Sequence, residues 1–420
     1  MNFTIRLLYF ITFLVSVFSL GKDLLAVSLL IPLLPSHIIH LGGSHFSAGL
    51  LGSLYAGVQL GSGPLVGSLS DLKGRKVLLI ITLLCCAATY VIIGLTSSVF
   101  VILFMRTILG IFKQTQMLCR ALVPDYEKNK EIHSAIYGKM AAISGTGITI
   151  GPVIGGHIVE DFPENGMTIL GALVGTLFFI NAGLVTLLPD VAPKRKNSRV
   201  DEDCDTRQSK SLVFMATDSF KQSVIQLYNI KWSLYWDIFL LKALIGFAMS
   251  VYFSSYALYL KSIFHLTPKY VGYVISFQGI VGSISCYFMG YINSFYVSDT
   301  DFSLRNLHVF YMVTGSLLGI ILSPNIVTYV LCLIPLAIGN AIARLVSLEM
   351  VLERCHGEHR GTMIGAANSV RSLTGVIAPV TTGIVVQNTD ISYVPFLSVF
   401  ASFTGLFISF YNNRLKVKIS

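Results

Sequence analysis

The chain has 420 residues, 54% hydrophobic and only 12% charged, with a mean hydropathy of +0.72, which leaves too little polar surface to cover a soluble fold of that size. Its formal net charge of +9 does not indicate a nucleic-acid binder, because Lys and Arg fall between apolar segments instead of forming a stripe with aromatics. Cys85, Cys86, Cys119, Cys286 and Cys332 lie within or beside apolar stretches and Cys204 and Cys355 in polar loops, so no disulfide framework follows.

A bilayer core about 30 Å thick takes roughly 20 apolar residues per helical crossing. The apolar runs here are continuous, not the alternating segments of about ten residues that build a barrel. The pattern predicts twelve helical spans, at 5–35, 46–69, 77–97, 99–121, 134–159, 167–189, 233–261, 269–292, 306–323, 325–350, 361–387 and 392–412. The first run is too long for a signal peptide and leads straight into further membrane sequence, so it reads as a retained span. It contains Asp23, and a carboxylate at such a depth costs at least about 2.5–3.5 kcal/mol unless it faces protein or water. Asp23 is therefore expected to point inward, either carrying a proton or fixed in an ion pair with Arg106.

In the fourth span Arg106, Lys113 and Arg120 are spaced by seven, which on one continuous helix puts all three near a single face. That face belongs in a central cavity, except that Arg120 is expected to snorkel to the inner interface instead. In the fifth span Gly147, Gly151 and Gly155 form a stripe without side chains, suited to close helix packing, and Pro152 adds a bend. The polar stretch 190–231 separates a domain at 1–189 from one at 232–420 and is expected to be a cytoplasmic linker, with a short surface helix conceivable over 212–228. Beyond it, Lys242 in span seven and Arg371 in span eleven lie deep enough to reach a cavity, whereas Asp237 lies near the interface. Gln59, Gln114 and Gln278 supply further polar groups.

The basic groups at 73, 75, 76, 128, 130, 194–196, 354, 360, 414, 416 and 418 fall on one side, which the positive-inside rule makes cytoplasmic together with both termini. The sequon Asn2-Phe3-Thr4 then faces the cytoplasm and stays unmodified. The loop Cys355–His359 carries thiol and imidazole groups, but without a second ligand cluster it is not expected to bind metal. Neither a cofactor nor enzymatic chemistry is expected, since no Walker loop, HExxH or nucleophile elbow occurs. One offset aligns Gly138 with Gly365, Pro152 with Pro379 and Gly156 with Gly383, which suggests that the two halves are repeats.

The segment Gly67–Leu79, GSLSDLKGRKVLL, resembles the signature loop of the major facilitator superfamily at Gly67, Leu69, Asp71, Gly74, Arg75 and Lys76, with Leu72 standing where a basic residue is usual. Gly138, Gly147, Gly151, Pro152, Gly155 and Gly156 resemble its antiporter motif, and Arg106 with Gly110 its membrane arginine motif. Asp23 followed by IPLLP and LGGS is similar to the first-span motif of the drug:proton antiporter branch. Within the superfamily, GIFKQT at 110–115 resembles the animal group called major facilitator superfamily domain-containing protein nine. The resemblance implies an all-α membrane protein of twelve transmembrane helices in two six-helix bundles, acting as a monomer in the lipid bilayer. It also implies exchange of a small organic solute for protons. Asp23, Arg106, Lys113, Lys242 and Arg371 would line the cavity, and Asp71 with Gly67, Gly74, Arg75 and Lys76 would form a gate. Membership of the fold alone leaves uniport, symport or a transport-silent receptor open.

Overall fold

The computed structural model describes residues 23–126, 130–188, 235–296, 299, 302–354 and 360–417. The linker, the sequon and the Cys355–His359 loop lie outside them. Among the described residues all regular structure is helical. In chain order the helices are α1 (Asp23–His40), α2 (His45–Lys73), α3 (Arg75–Leu95), α4a (Val99–Phe112) and α4b (Thr115–Tyr126), α5 (Lys130–Asp161) and α6 (Gly166–Thr186). Then follow α7 (Trp236–Ile263), α8a (Pro268–Tyr287) and α8b (Met289–Ser294), α9 (Ser303–Ile321), α10 (Ile326–Arg354), α11 (Arg360–Asn388) and α12 (Val394–Val417). Among the described residues ten stretches are long and apolar enough to cross a membrane; α2 and α8a are not among them. Both of these helices spend residues on glycine and serine at faces that meet the opposite half, which lowers their apolarity.

Local chemistry sets the boundaries. Helix α1 is interrupted at 31–33, where Pro32 removes a backbone donor, and Pro35 sits in the first turn of the segment that resumes. Ser44 caps α2 by accepting a hydrogen bond from the Ser47 amide at 3.1 Å. Gly74, at φ 94°, turns the chain from α2 into α3 within one residue, a conformation that disfavours any side chain. Asp299 caps α9 by accepting from the Leu304 and Arg305 amides.

Buried apolar side chains form two separate cores, one drawn from residues 26–188 and the other from residues 238–394. Between them α2 packs on α11, and α5 on α8a, through glycines. A Cβ on Gly49 would overlap the Pro379 carbonyl, one on Gly52 would meet Pro379 at 3.0 Å, one on Gly57 would meet Val376 at 3.6 Å, and one on Gly61 would meet nothing within 4 Å. The other pair shows the same gradient. A Cβ on Gly272 would overlap the Pro152 carbonyl, one on Gly279 would lie 2.9 Å from Thr149, and one on Gly282 has open space. The halves therefore touch at the end where His45, Asp161, Pro268 and Asn388 lie, and splay toward the end where Lys73, Lys130 and Arg360 lie. These are called the closed and the open end below.

The seam is duplicated. Gly383 lies against the His45 carbonyl and the Phe46 Cα, and Gly156 against the Pro268 carbonyl and the Lys269 Cα. One offset relates Pro152 to Pro379 and Gly156 to Gly383, and a second relates Gly49 to Gly272 and His45 to Pro268. Among the described residues, hydrogen bonds that cross the seam include Ser53 to the Val376 carbonyl at 2.6 Å, the His45 amide to Gln387, the Lys269 amide to Glu160, Tyr273 with His157, and Ser276 to the Thr149 carbonyl.

Candidate functional site

Asp23, on α1, is 2% exposed and forms an ion pair with Lys113, itself 7% exposed. Thr115 donates its hydroxyl to the second carboxylate oxygen at 2.9 Å, and the Lys113 ammonium also reaches the Thr115 hydroxyl at 3.2 Å. The ammonium lies 5.1 Å from the centroid of the Phe178 ring. The carboxylate thus has both a charged and a neutral donor, the minimum that makes such burial tolerable.

The expectation that Arg106, Lys113 and Arg120 share the face of one helix is corrected by the backbone. The helix stops at Phe112 and restarts at Thr115, with Lys113 at φ −76°, ψ 51°. Backbone left unpaired inside a bilayer must find other partners, and α2 provides them. Ser62 donates to the Gly110 carbonyl at 2.8 Å, Gln59 to the Lys113 carbonyl at 3.1 Å, and Gln114 to the Gln59 carbonyl and the Ser62 hydroxyl. The break swings the Lys113 side chain onto Asp23. The alternative pairing of Asp23 with Arg106 is likewise replaced. Arg106, 4% exposed, lies 5.8 Å from the Tyr55 ring, and its Nε and Nη1 have no hydrogen-bond partner among the described residues. Arg120, at an exposed position on α4b, is separate from this cluster.

The antiporter-type glycines make backbone contacts chiefly with α1. A Cβ on Gly151 would overlap Ser28, one on Gly155 would overlap the Leu29 carbonyl, and Ser28 donates to the Gly147 carbonyl at 2.9 Å. Gly156 and Pro152 belong to the seam, while a Cβ on Gly138 would meet nothing within 4 Å. At the start of α3, Arg75 donates to Asp125 at 2.9 Å and to the Ala121 carbonyl at 2.7 Å, and Lys76 reaches the Leu188 carbonyl. Gly67 lies 3.9 Å from Met117, measured from an added Cβ. The Asp71 side chain lies outside what the structure describes. A counterpart that sequence reasoning missed occurs in the second half. Arg305, at the start of α9, pairs with Asp299 at 3.3 Å and approaches Glu349 on α10 at 3.9 Å, much as Arg75 at the start of α3 pairs with Asp125 on α4b.

In the second half the Lys242 ammonium donates to the Ser347 hydroxyl at 3.0 Å, joining α7 to α10. Arg371 is exposed. Arg344 on α10, also exposed and not singled out from the sequence, approaches Cys286 at 3.9 Å. Asp237 sits in the first turn of α7, where a carboxylate complements the helix dipole. No group of three or more metal-binding side chains occurs among the described residues.

Residues 17–379 and 239–416 match the profile of the Major Facilitator Superfamily. The chain belongs to the major facilitator superfamily. It is a multi-pass membrane protein, and it spans 65% of the length of the first curated relatives it matches. This superfamily member is 27% identical over 290 residues to the quinolone resistance protein NorA of Staphylococcus aureus, an alignment covering 68% of this chain and 65% of that protein. It is 28% identical to the class H tetracycline resistance protein of Pasteurella multocida over 38% of this chain and 40% of that one. Among solved structures it resembles a bacterial homologue of the human lysosomal transporter Spinster in an inward-facing, occupied conformation, with a TM-score of 0.76, 11% identity and 96% of both chains covered. It also resembles the human organic anion transporter MFSD10, with a TM-score of 0.65, 19% identity, and 96% of this chain and 99% of that one covered. At these identities the structural likenesses speak to the fold of this superfamily member alone.

Proposed function

We propose that this transporter exchanges a small organic solute for protons by alternating access, with Asp23 as the proton carrier. The observation that carries the proposal is the buried Asp23–Lys113–Thr115 constellation at a break in the membrane helix. An intramembrane carboxylate facing a cation is a stable pair only while both are charged. Protonating Asp23 cancels its charge and leaves Lys113 buried without a counter-ion, which disfavours the arrangement seen here. Release of the proton restores it. Arg106 and Lys113 set how readily Asp23 takes the proton, and Arg75 with Asp71 gates the open end.

The relatives named for quinolone and tetracycline resistance support a small organic solute as cargo. The two buried cores and the duplicated seam support twelve spans arranged as two six-helix bundles, 1–189 and 232–420, around a linker at 190–231. With the basic loops cytoplasmic, both termini lie inside, the open end faces the cytoplasm, and the protein works as a monomer. The segment GIFKQT at 110–115 supports a place beside the animal domain-containing protein nine group.

The test is proton movement in proteoliposomes reconstituted with wild type or Asp23→Asn while a pooled library of organic cations and anions is added. A pH change that requires both a compound and Asp23 is the expected result. Compounds that cross without moving protons would replace antiport by uniport. Proton flow in the same direction as the compound would replace it by symport, and the absence of any flux by a receptor role.

A further inference from the structure

The open end of the second half concentrates positive charge. Lys242 on α7, Arg344 on α10 and Arg371 on α11 come from three helices, and Arg371 lies within electrostatic range of both Lys242 and Arg344. Among the described residues no carboxylate lies within 4.0 Å of any of the three, although the same half pairs Arg305 with Asp299. The partners present are neutral: the Ser347 hydroxyl for Lys242 and the Cys286 thiol for Arg344. Holding like charges together in a membrane protein without a counter-charge is unfavourable, and an anion entering the gap relieves the repulsion.

The direction in which the cluster faces separates a solute site from a headgroup contact. Arg371, Gly375, Pro379 and Gly383 recur every fourth residue, so they share one face of α11. At the closed end that face is pressed on α2, with Gly375 against Ala56 and Gly383 against Phe46. Arg371 continues it one turn into the region where the halves have separated. Cys286 is placed in the same way on α8a, one turn beyond Gly282, where an added Cβ has open space. Lys242 lies one turn from Gly246, which packs on Thr374 of α11. Arg371, and Arg344 through its approach to Cys286, therefore border the gap between the halves, with Lys242 within electrostatic range of Arg371 on the neighbouring α7.

We propose that Lys242, Arg344 and Arg371 form an anion subsite that binds the carboxylate, sulfonate or phosphate group of an organic anion entering from the open end. Two guanidinium forks and an ammonium favour a ligand with two acidic groups, or one group offering several acceptor oxygens. The assignment rests on the transport reading above for the idea that solutes enter this gap, but not on proton coupling, so the two fail separately.

The experiment is direct binding to the full chain in nanodiscs of phosphatidylcholine alone, with three probes of increasing size: succinate, 4-sulfobenzoate and fluorescein. Rhodamine 123 serves as the cationic control. At least one anion is expected to raise the melting temperature in a saturable, salt-sensitive way. Lys242→Gln, Arg344→Gln and Arg371→Gln should each weaken it about tenfold or more, while Arg371→Lys recovers part of the loss. Rhodamine 123 should gain nothing from the cations and bind the neutral variants at least as well. Asp23→Asn should retain the anion, because the subsite lies in the other half; if it retains the anion yet exchanges no protons, the coupling reading and the subsite are told apart. The proposal is overturned if none of the three anions binds wild type, or if the Gln variants, shown to be monodisperse, bind them unchanged. It is equally overturned if only phosphatidylglycerol in the disc gives the stabilisation, since the cluster would then be a headgroup contact.

Discussion

Replacing Gly49 by alanine puts a methyl group onto the Pro379 carbonyl and 3.0 Å from the Gly383 Cα. Neither atom is the end of a flexible side chain, so α2 and α11 must move apart. Overpacking of this kind costs about 1–3 kcal/mol, and the cost exists only while the closed end is shut, so it biases the conformational equilibrium by roughly 5–150-fold. The same substitution at Gly57 meets Val376 at 3.6 Å, an ordinary contact, and at Gly61 it meets nothing. The three alanine variants thus form a graded series within one helix. Spin labels at Ser97 and Thr389, both exposed at the closed end on opposite halves, report its width by pulsed electron resonance. Gly49→Ala should add a longer-distance population, Gly57→Ala should change little, and Gly61→Ala should match wild type. Gly272→Ala should reproduce the effect from the mirrored contact with Pro152. Equal shifts for Gly49→Ala and Gly61→Ala, or none for Gly49→Ala, would refute the idea that glycine contacts hold this end shut.

Lys113→Met leaves the Asp23 carboxylate buried with only Thr115 as donor and should cost about 3–5 kcal/mol, whereas adding Asp23→Asn should recover much of the loss; detergent-solubilised melting temperatures decide this. Gln59→Leu removes the donor to the Lys113 carbonyl and orphans a buried acceptor, at about 1–3 kcal/mol. The comparison is with Gln278→Leu, which removes an Nε2 without a partner among the described residues and an acceptor for Tyr252, whose hydroxyl keeps Tyr329 at 3.5 Å, and which should cost less. Gly74→Ala strains a residue at φ 94°, at about 1–2 kcal/mol. A matching fall in melting temperature, without change in the spin-label distance at the closed end, would place that strain in the loop alone.

Hydropathy made ten spans legible because a bilayer imposes length and apolarity on each crossing, and the shared offset of Pro152/Pro379 and Gly156/Gly383 pointed to a repeat of the two halves. The partner of Asp23 was not legible. Nothing in Phe112-Lys113-Gln114-Thr115 breaks a helix by propensity, since no proline or glycine is there. The break is stabilised by Gln59 and Ser62, residues more than 40 positions away, whose role local spacing cannot show. On an unbroken helix Arg106 and Lys113 share one face, so spacing alone could not single out Lys113, and the ion pair expected from the sequence was with Arg106. Arg344 did leave a signal, an arginine within the apolar run 326–348, whereas Glu349, far in sequence from Asp299 and Arg305, comes near Arg305 only in the fold. The signature loop was legible as a pattern, but its Arg75 contact with Asp125 required α4b to bring that carboxylate near.

Helix α2 has two occupations. With Gly49 and Ser53 it forms part of the seam, and with Gln59 and Ser62, two turns further on, it cradles the broken segment that carries Lys113. The same rod is thus both a jamb of the door and the bearing of the latch. A displacement of Lys113 that carries its carbonyl along pulls on Gln59, and the rigid turns between 53 and 59 deliver that pull to the contact with α11. Chemistry at a single carboxylate therefore has a short mechanical route to the far rim of the molecule, one that does not pass through the solute.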